Sequence, residues 1–208
     1  MNQNFGGKMK NLLLKENYSS QNLFEKVNLL TEEQVRAISK GLEWTVNNIP
    51  SAVLVGGTAT IHYITGARDL TPDLDFMVRD INSVRTKLSW ENIPFRNLDV
   101  GYEYALGITV DQFNTDYLDS QVGNVTLNNL ILQTPNKGMV GGYEVQIINP
   151  ELLAIMKLNL GRERDVNDGF ALLSSGKVNR EKFKTYLHQL KGSLEDYESI
   201  EMYKNLIP

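Results

Sequence analysis

A glycine pair followed closely by a pair of aspartates constrains this chain more than any other feature of its sequence. Gly56 and Gly57 follow the apolar run 52–55, and Asp73 and Asp75 come after fifteen intervening residues. A short β-branched run predicts a strand, and glycines directly after it predict a turn. The sequence therefore predicts a strand, a glycine turn, a helix and then a second strand that carries the aspartates.

The chemistry of these residues fits a phosphorylated ligand. Strand alternation places Asp73 and Asp75 on one face, about 6.5–7 Å apart, where two carboxylates repel each other unless a cation shares them. Glycines ahead of a helix leave backbone N–H groups open to phosphate oxygens. Asp111, in a strand predicted over 107–113, would complete a carboxylate triad. Alone, a glycine pair is usually only a turn, and an Asp-x-Asp motif is usually only the solvated face of a strand. The two motifs in this order, within a predicted strand–turn–helix–strand unit, favour phosphoryl or nucleotidyl transfer.

The composition limits the kind of metal site and the class of partner. The chain has no cysteine and only two histidines in 208 residues, which excludes disulfides, thiolate zinc sites and histidine-rich metal centres. Any metal must therefore bind oxygen ligands, which favours Mg²⁺ or Mn²⁺. The formal net charge of −4 excludes the uniformly basic surface of a dedicated nucleic-acid binder. The polar start and the short apolar run after it predict a cytoplasmic protein with no membrane partner.

Periodicity divides the chain into a polar N-terminal arm, an α/β core with a small mixed sheet, and a helical C-terminal region. The boundaries fall at 1–30, 31–148 and 149–208. Asn149, Pro150 and Glu151 predict the start of the first C-terminal helix, through a side-chain cap, a fixed φ and a favourable charge. Further elements are expected as helices over 58–65, 81–90 and 177–191, a strand over 74–78, and a hairpin of 128–133 with 143–148.

Two stretches resemble one known superfamily. The first holds Gly56-Gly57-Thr58-Ala59, Arg68, Thr71 and Asp73-Leu74-Asp75-Phe76, and it resembles the nucleotidyltransferase (DNA polymerase β-like) superfamily, most closely the branch of the AbiEii-type abortive-infection toxins. The segments 149–158 and 164–168 resemble the downstream helices of that branch. The likeness covers about residues 50–175. The fifteen-residue gap is slightly longer than the superfamily pattern, which puts the geometry of the intervening turn in doubt.

The resemblance implies transfer of a nucleoside monophosphate from a nucleoside triphosphate to an acceptor hydroxyl, with Mg²⁺ or Mn²⁺ as cofactor. It implies one set of residues that contact phosphates: Gly56, Gly57, Thr58, Arg68 and Lys157. It implies a second set that is catalytic and holds the metals: Asp73, Asp75 and Asp111. Within that second set, Asp111 would bind the metal nearest the attacking hydroxyl and help to deprotonate that hydroxyl.

The roles of the charged residues in the C-terminal region stay open at this point. Lys157 lies among apolar residues of its predicted helix, so it is either a phosphate contact or a lysine that reaches solvent from the helix edge. Arg164, Asp165 and Asp168 form either part of a catalytic cleft or a salt-bridged helix start. The basic helix over 177–191 either pairs with the acidic segment that follows it or receives an anionic acceptor such as RNA.

The sequence leaves two functions from different classes. The first is an active nucleotidyltransferase whose acceptor is RNA, a protein or a small molecule, and the resemblance extends this to the toxin of a toxin–antitoxin pair with an antitoxin partner. The second is a catalytically silent module that keeps the fold and binds a partner. Retention of the glycines and of closely spaced carboxylates favours the active enzyme, because a silent module has no physical reason to crowd acidic groups.

Overall fold

The computed structural model describes residues 32–64, 74–79, 97–98, 101–103, 109–111, 126–194 and 197–208. Within them the α-helices are α1 (Glu32–Asn48), α2 (Gly56–Tyr63), α3 (Leu127–Gln133), α4 (Pro150–Leu160), α5 (Glu163–Ser174), α6 (Arg180–Gln189) and α7 (Tyr197–Met202). The strands are β1 (Val53–Leu54), β2 (Phe76–Met77), β3 (Asn97–Leu98), β4 (Gly101–Glu103), β5 (Thr109–Asp111), β6 (Asn136–Val140) and β7 (Tyr143–Ile147). These elements confirm the predicted α/β class.

The main sheet is mixed, with strand order β2-β1-β7-β6. β1 is antiparallel to β2 and parallel to β7, and β6 and β7 form an antiparallel hairpin. β3, β4 and β5 form a second, antiparallel sheet. β1 is fully buried between β2 and β7, which agrees with its unbroken apolar sequence.

The hairpin prediction was wrong in its first strand. Residues 127–133 form α3, because the Thr126 hydroxyl accepts a hydrogen bond from the Asn129 backbone N–H at 3.2 Å and caps the helix. β6 takes the place of the predicted strand, and its turn to β7 lies at Gly141 and Gly142, which have φ of 57° and 88°. A tight hairpin turn needs such positive φ values, which glycine adopts without strain.

The helical C-terminal region is built around α4. Asn149 caps this helix by accepting from the Leu152 N–H at 2.9 Å, and Pro150 occupies the first turn, as predicted. Every residue of α4 from Pro150 to Leu158 is buried. α5 packs most closely on α4, and a Cβ at Gly169 would lie 2.8 Å from Cγ of Leu158. The two helix backbones therefore approach each other where α5 has no side chain.

Several predicted features lie outside the described residues: the 1–30 arm, the 81–90 helix, Arg68 and Asp73. Among the residues that the structure does describe, no helix combines the length and the apolar character needed to cross a membrane.

Candidate active site

The predicted glycine turn lies where β1 passes into α2. Gly56 has φ of 64°, in the left-handed region that favours glycine. α2 begins at Gly56, two residues earlier than predicted, so both glycines belong to its first turn. The Thr60 hydroxyl donates a hydrogen bond to the Gly56 carbonyl at 3.0 Å and closes this turn. Strand, turn and helix therefore follow each other in the predicted order.

Asp75 packs directly against the turn. A Cβ built on Gly56 would lie 1.9 Å from Oδ2 of Asp75, 2.7 Å from its Cγ and 2.8 Å from its Cβ. The backbone fixes this approach, because the Val55 N–H donates to the Asp75 carbonyl at 2.8 Å and Leu54 pairs with Phe76. The half-buried carboxylate of Asp75 can reach this position only because residue 56 has no side chain.

The start of α2 is suited to negative charge. Val55, its N-cap residue, provides no capping side chain, and the first turn holds no acidic residue of its own. The first-turn N–H groups of a helix carry the positive end of its dipole and bind anions well. Asp75 brings a carboxylate to this end, and Gly57 and Thr58 are buried beside it. The turn thus combines an anion-binding backbone with an acidic side chain.

The third predicted carboxylate is on a neighbouring strand. Asp111 is the last residue of β5, and β5 lies close to β2, the strand that follows Asp75. The strand predicted over 107–113 is observed at Thr109–Asp111, and it belongs to the second sheet rather than to the sheet that contains β2. Within the parts of the chain that the structure describes, no group of three or more acidic or histidine side chains is placed to hold a metal ion.

Lys157 lies in a buried ion-pair network between α4 and α5. Its Nζ is 2.6 Å from Oδ1 of Asp165 and 3.1 Å from Oδ2 of Asp168. All three residues are buried, and the largely exposed Arg162 also pairs with Asp165. Lys157 therefore does not reach solvent from a helix edge. Asp165 and Asp168 do not only begin α5, because both also form ion pairs with Lys157 of α4.

Burial sets the electrostatics of this network. It raises the pKa of Asp168, and the adjacent Lys157 ammonium opposes that rise. The sequence reasoning missed the pairing of α4 with α5, although a signal for it was present. A lysine on an apolar helix needs carboxylate partners when it is buried, and the acidic pair at i,i+3 on the next helix supplies them.

The end of α2 carries a second polar group. The Tyr63 hydroxyl donates to the Ile148 carbonyl at 2.8 Å and accepts from Nδ2 of Asn136 at 3.2 Å, while burial raises the pKa of Tyr63 to about 12. His62 packs edge-on against Tyr63 and over Gly138. Burial lowers the pKa of His62, and the nearby Lys177 adds to this effect. These contacts join α2 to the main sheet.

Comparison with known proteins finds a distant likeness among solved structures. No family model matches the sequence, and no curated protein matches it significantly. Among solved structures, the chain is similar to the crystal structure of an antigenic nucleotidyltransferase-like protein from Paracoccidioides brasiliensis. The two are 17% identical with a TM-score of 0.47, and the match covers 82% of this chain and 93% of that chain. At this distance, function has to follow from the residues of the site rather than from the likeness.

Proposed function

We propose that this chain is a Mg²⁺-dependent nucleotidyltransferase that moves a nucleoside monophosphate from a nucleoside triphosphate to an acceptor hydroxyl. The contact between Gly56 and Asp75 carries the proposal. It joins a helix N-terminus of the kind that binds phosphate to a carboxylate of the kind that binds Mg²⁺, in van der Waals contact. Nucleotidyl transfer needs these two groups side by side.

The glycine turn would hold the triphosphate. The N–H groups of the first turn of α2, at Gly56, Gly57 and Thr58, would donate to the β- and γ-phosphate oxygens. The missing Cβ atom at Gly56 leaves room there for Asp75. Thr58 is buried, so its support to the phosphates would come through the backbone rather than through a side chain in the cleft.

The donor chemistry fits a magnesium ion. Asp73, Asp75 and Asp111 offer only carboxylate oxygens, which Mg²⁺ and Mn²⁺ accept, and the proximity of β5 to β2 would bring Asp111 toward Asp75. A bound metal would supply Lewis-acid stabilisation of the charge on the phosphate oxygens. The Asp111 carboxylate would accept the proton of the acceptor hydroxyl.

Lys157 and Arg68 are proposed as further phosphate contacts. Two carboxylates hold the Lys157 ammonium in the structure. A phosphate would therefore reach it only in place of one of them. In the present arrangement Lys157 links α4 to α5. The acceptor is proposed as RNA, a protein or a small molecule, and a role as the toxin of a toxin–antitoxin pair belongs to the same proposal.

Label transfer tests the function directly. The full chain is incubated with Mg²⁺ and each α-³²P-labelled nucleoside triphosphate, alone and with total RNA or cell extract. We expect label on one acceptor from the wild type and none from Asp75→Asn, because the amide cannot replace a metal-binding carboxylate. Glu198→Gln, an equal charge change at an exposed position of α7, is the control and should retain transfer. Full transfer by Asp75→Asn would refute the proposed site.

A further inference from the structure

A cavity separate from the glycine turn lies between α1 and the main sheet. Its volume is about 270 Å³. Six of its ten lining residues are apolar, namely Val46, Ile49, Pro50, Ala52, Phe76 and Val145, and the polar ones are Thr45, Lys137, Glu144 and Gln146. Ligand cavities in proteins commonly begin at about 300 Å³, and an apolar cavity of about 150 Å³ already holds benzene. The space therefore suits one small ring or branched aliphatic group.

The mouth of this cavity carries one positive and one negative side chain. Lys137 and Glu144 both line it, and Nζ of Lys137 is 2.8 Å from Oε1 of Glu144. Their side chains are 75% and 62% exposed. An exposed pair of this kind contributes little to stability, so its members exchange easily for other charged partners.

We infer that this cavity binds a free apolar or aromatic amino acid. The side chain of the ligand would occupy the apolar interior. Its carboxylate would pair with Lys137 and its ammonium with Glu144, so that each charge at the mouth exchanges one partner for another. A zwitterion on an apolar body matches this arrangement, whereas a purely apolar ligand leaves the charges unused and a nucleotide places negative charge against Glu144.

The cavity and the glycine turn are lined by different residues. Phe76 lines the cavity, and its neighbour Asp75 contacts Gly56. The amino-acid site therefore goes beyond the proposed transferase activity and does not depend on it.

Calorimetric titration of the full chain with three related ligands tests the inference. L-phenylalanine carries both charges, phenethylamine lacks the carboxylate, and 3-phenylpropionate lacks the ammonium. For a ligand of about twelve non-hydrogen atoms at ordinary efficiency, we expect a Kd for L-phenylalanine on the order of 1 mM. Both analogues should bind more weakly.

Two variants at the exposed mouth test the contribution of each charge to binding, and neither changes a core residue. Lys137→Met should weaken the binding of L-phenylalanine and of 3-phenylpropionate by about two- to fivefold. The binding of phenethylamine should be unchanged or tighter. Glu144→Gln should weaken the binding of L-phenylalanine and of phenethylamine to the same extent, and leave the binding of 3-phenylpropionate unchanged. This crossed pattern is specific to a zwitterion held between the two residues.

A larger side chain in the lining of the cavity tests whether the ligand binds inside it. Val46→Phe should remove L-phenylalanine binding, provided that its melting temperature shows a folded protein. No saturation by L-phenylalanine up to about 10 mM would overturn the inference. An equal response of all three ligands to both mouth variants would overturn it as well, and so would binding that survives in folded Val46→Phe.

Discussion

Replacement of Gly56 by alanine tests the central contact of the site. The methyl group would enter the space that Asp75 occupies, 1.9 Å from its Oδ2. Rotation of the aspartate side chain cannot relieve the clash, because Cβ of Asp75 is itself only 2.8 Å from the new atom. The backbone of the β1–β2 pair must therefore shift at the point where the Val55 N–H bonds to the Asp75 carbonyl.

The structure gives the size of the effect and a matched control. An alanine held at φ of 64° costs about 1–2 kcal/mol in backbone strain, and forcing a methyl group into packed surroundings adds about 1–3 kcal/mol. Gly161 has φ of 66°, but a Cβ there would have nothing within 4 Å. The unfolding free energy of Gly161→Ala should therefore fall only by the backbone strain, about 1–2 kcal/mol. That of Gly56→Ala should fall by about 2–5 kcal/mol.

Urea unfolding of both variants without metal or nucleotide measures this difference, and label transfer measures its effect on activity. Gly56→Ala should lose transfer because Asp75 is displaced, whereas Gly161→Ala should retain it. Equal unfolding free energies for the two variants would show that Asp75 does not press against Gly56 in solution, and the reasoning from this contact would then be wrong.

Three further predictions concern groups outside the glycine turn. Thr45 has a buried hydroxyl with no hydrogen-bond partner among the described residues, so Thr45→Val should raise the unfolding free energy by about 1 kcal/mol; Thr60→Val, which removes a made hydrogen bond, should lower it. His62 has a lowered pKa, so the unfolded chain takes up its proton first and the wild type loses stability as pH falls below 6.5. Urea titrations from neutral to mildly acid pH should show a smaller loss in His62→Gln. Lys157→Met leaves Asp165 and Asp168 without their buried cation, so it should cost about 3–5 kcal/mol in chemical denaturation, part of which Asp168→Asn should restore.

Local signals predicted the strand–turn–helix unit at 53–63 because its determinants are close in sequence. An apolar run, two glycines and a helix need no distant partner to be recognised. The segment 127–133 was mistaken for a strand because Asn128–Gln133 reads equally well as a short apolar strand or a short helix. The Thr126 cap decided the outcome, together with burial of Leu130, Ile131 and Leu132. Short apolar runs leave this ambiguity in any sequence.

The features that the sequence could not supply depend on contacts between distant segments. Strand alternation can place Asp75 on a face, but it cannot show that the carboxylate touches Gly56, because that contact depends on the antiparallel register of β1 and β2. The network of Lys157 likewise depends on the close packing of α5 on α4 that Gly169 permits. Composition indicates that such charges need partners, but only the fold identifies them.

The contact of Gly56 with Asp75 makes phosphate binding and metal binding interdependent. In an enzyme with separate sites, a change in the residues that bind phosphate would weaken nucleotide binding and leave the metal-binding carboxylate in place. Here a side chain at residue 56 displaces the carboxylate, and a movement of the carboxylate alters the charge at the start of α2. α4 and α5 pack against α2 from behind, and the buried Lys157 network holds these two helices together. Loss of that network should therefore loosen the glycine turn without any change in the residues that contact the nucleotide.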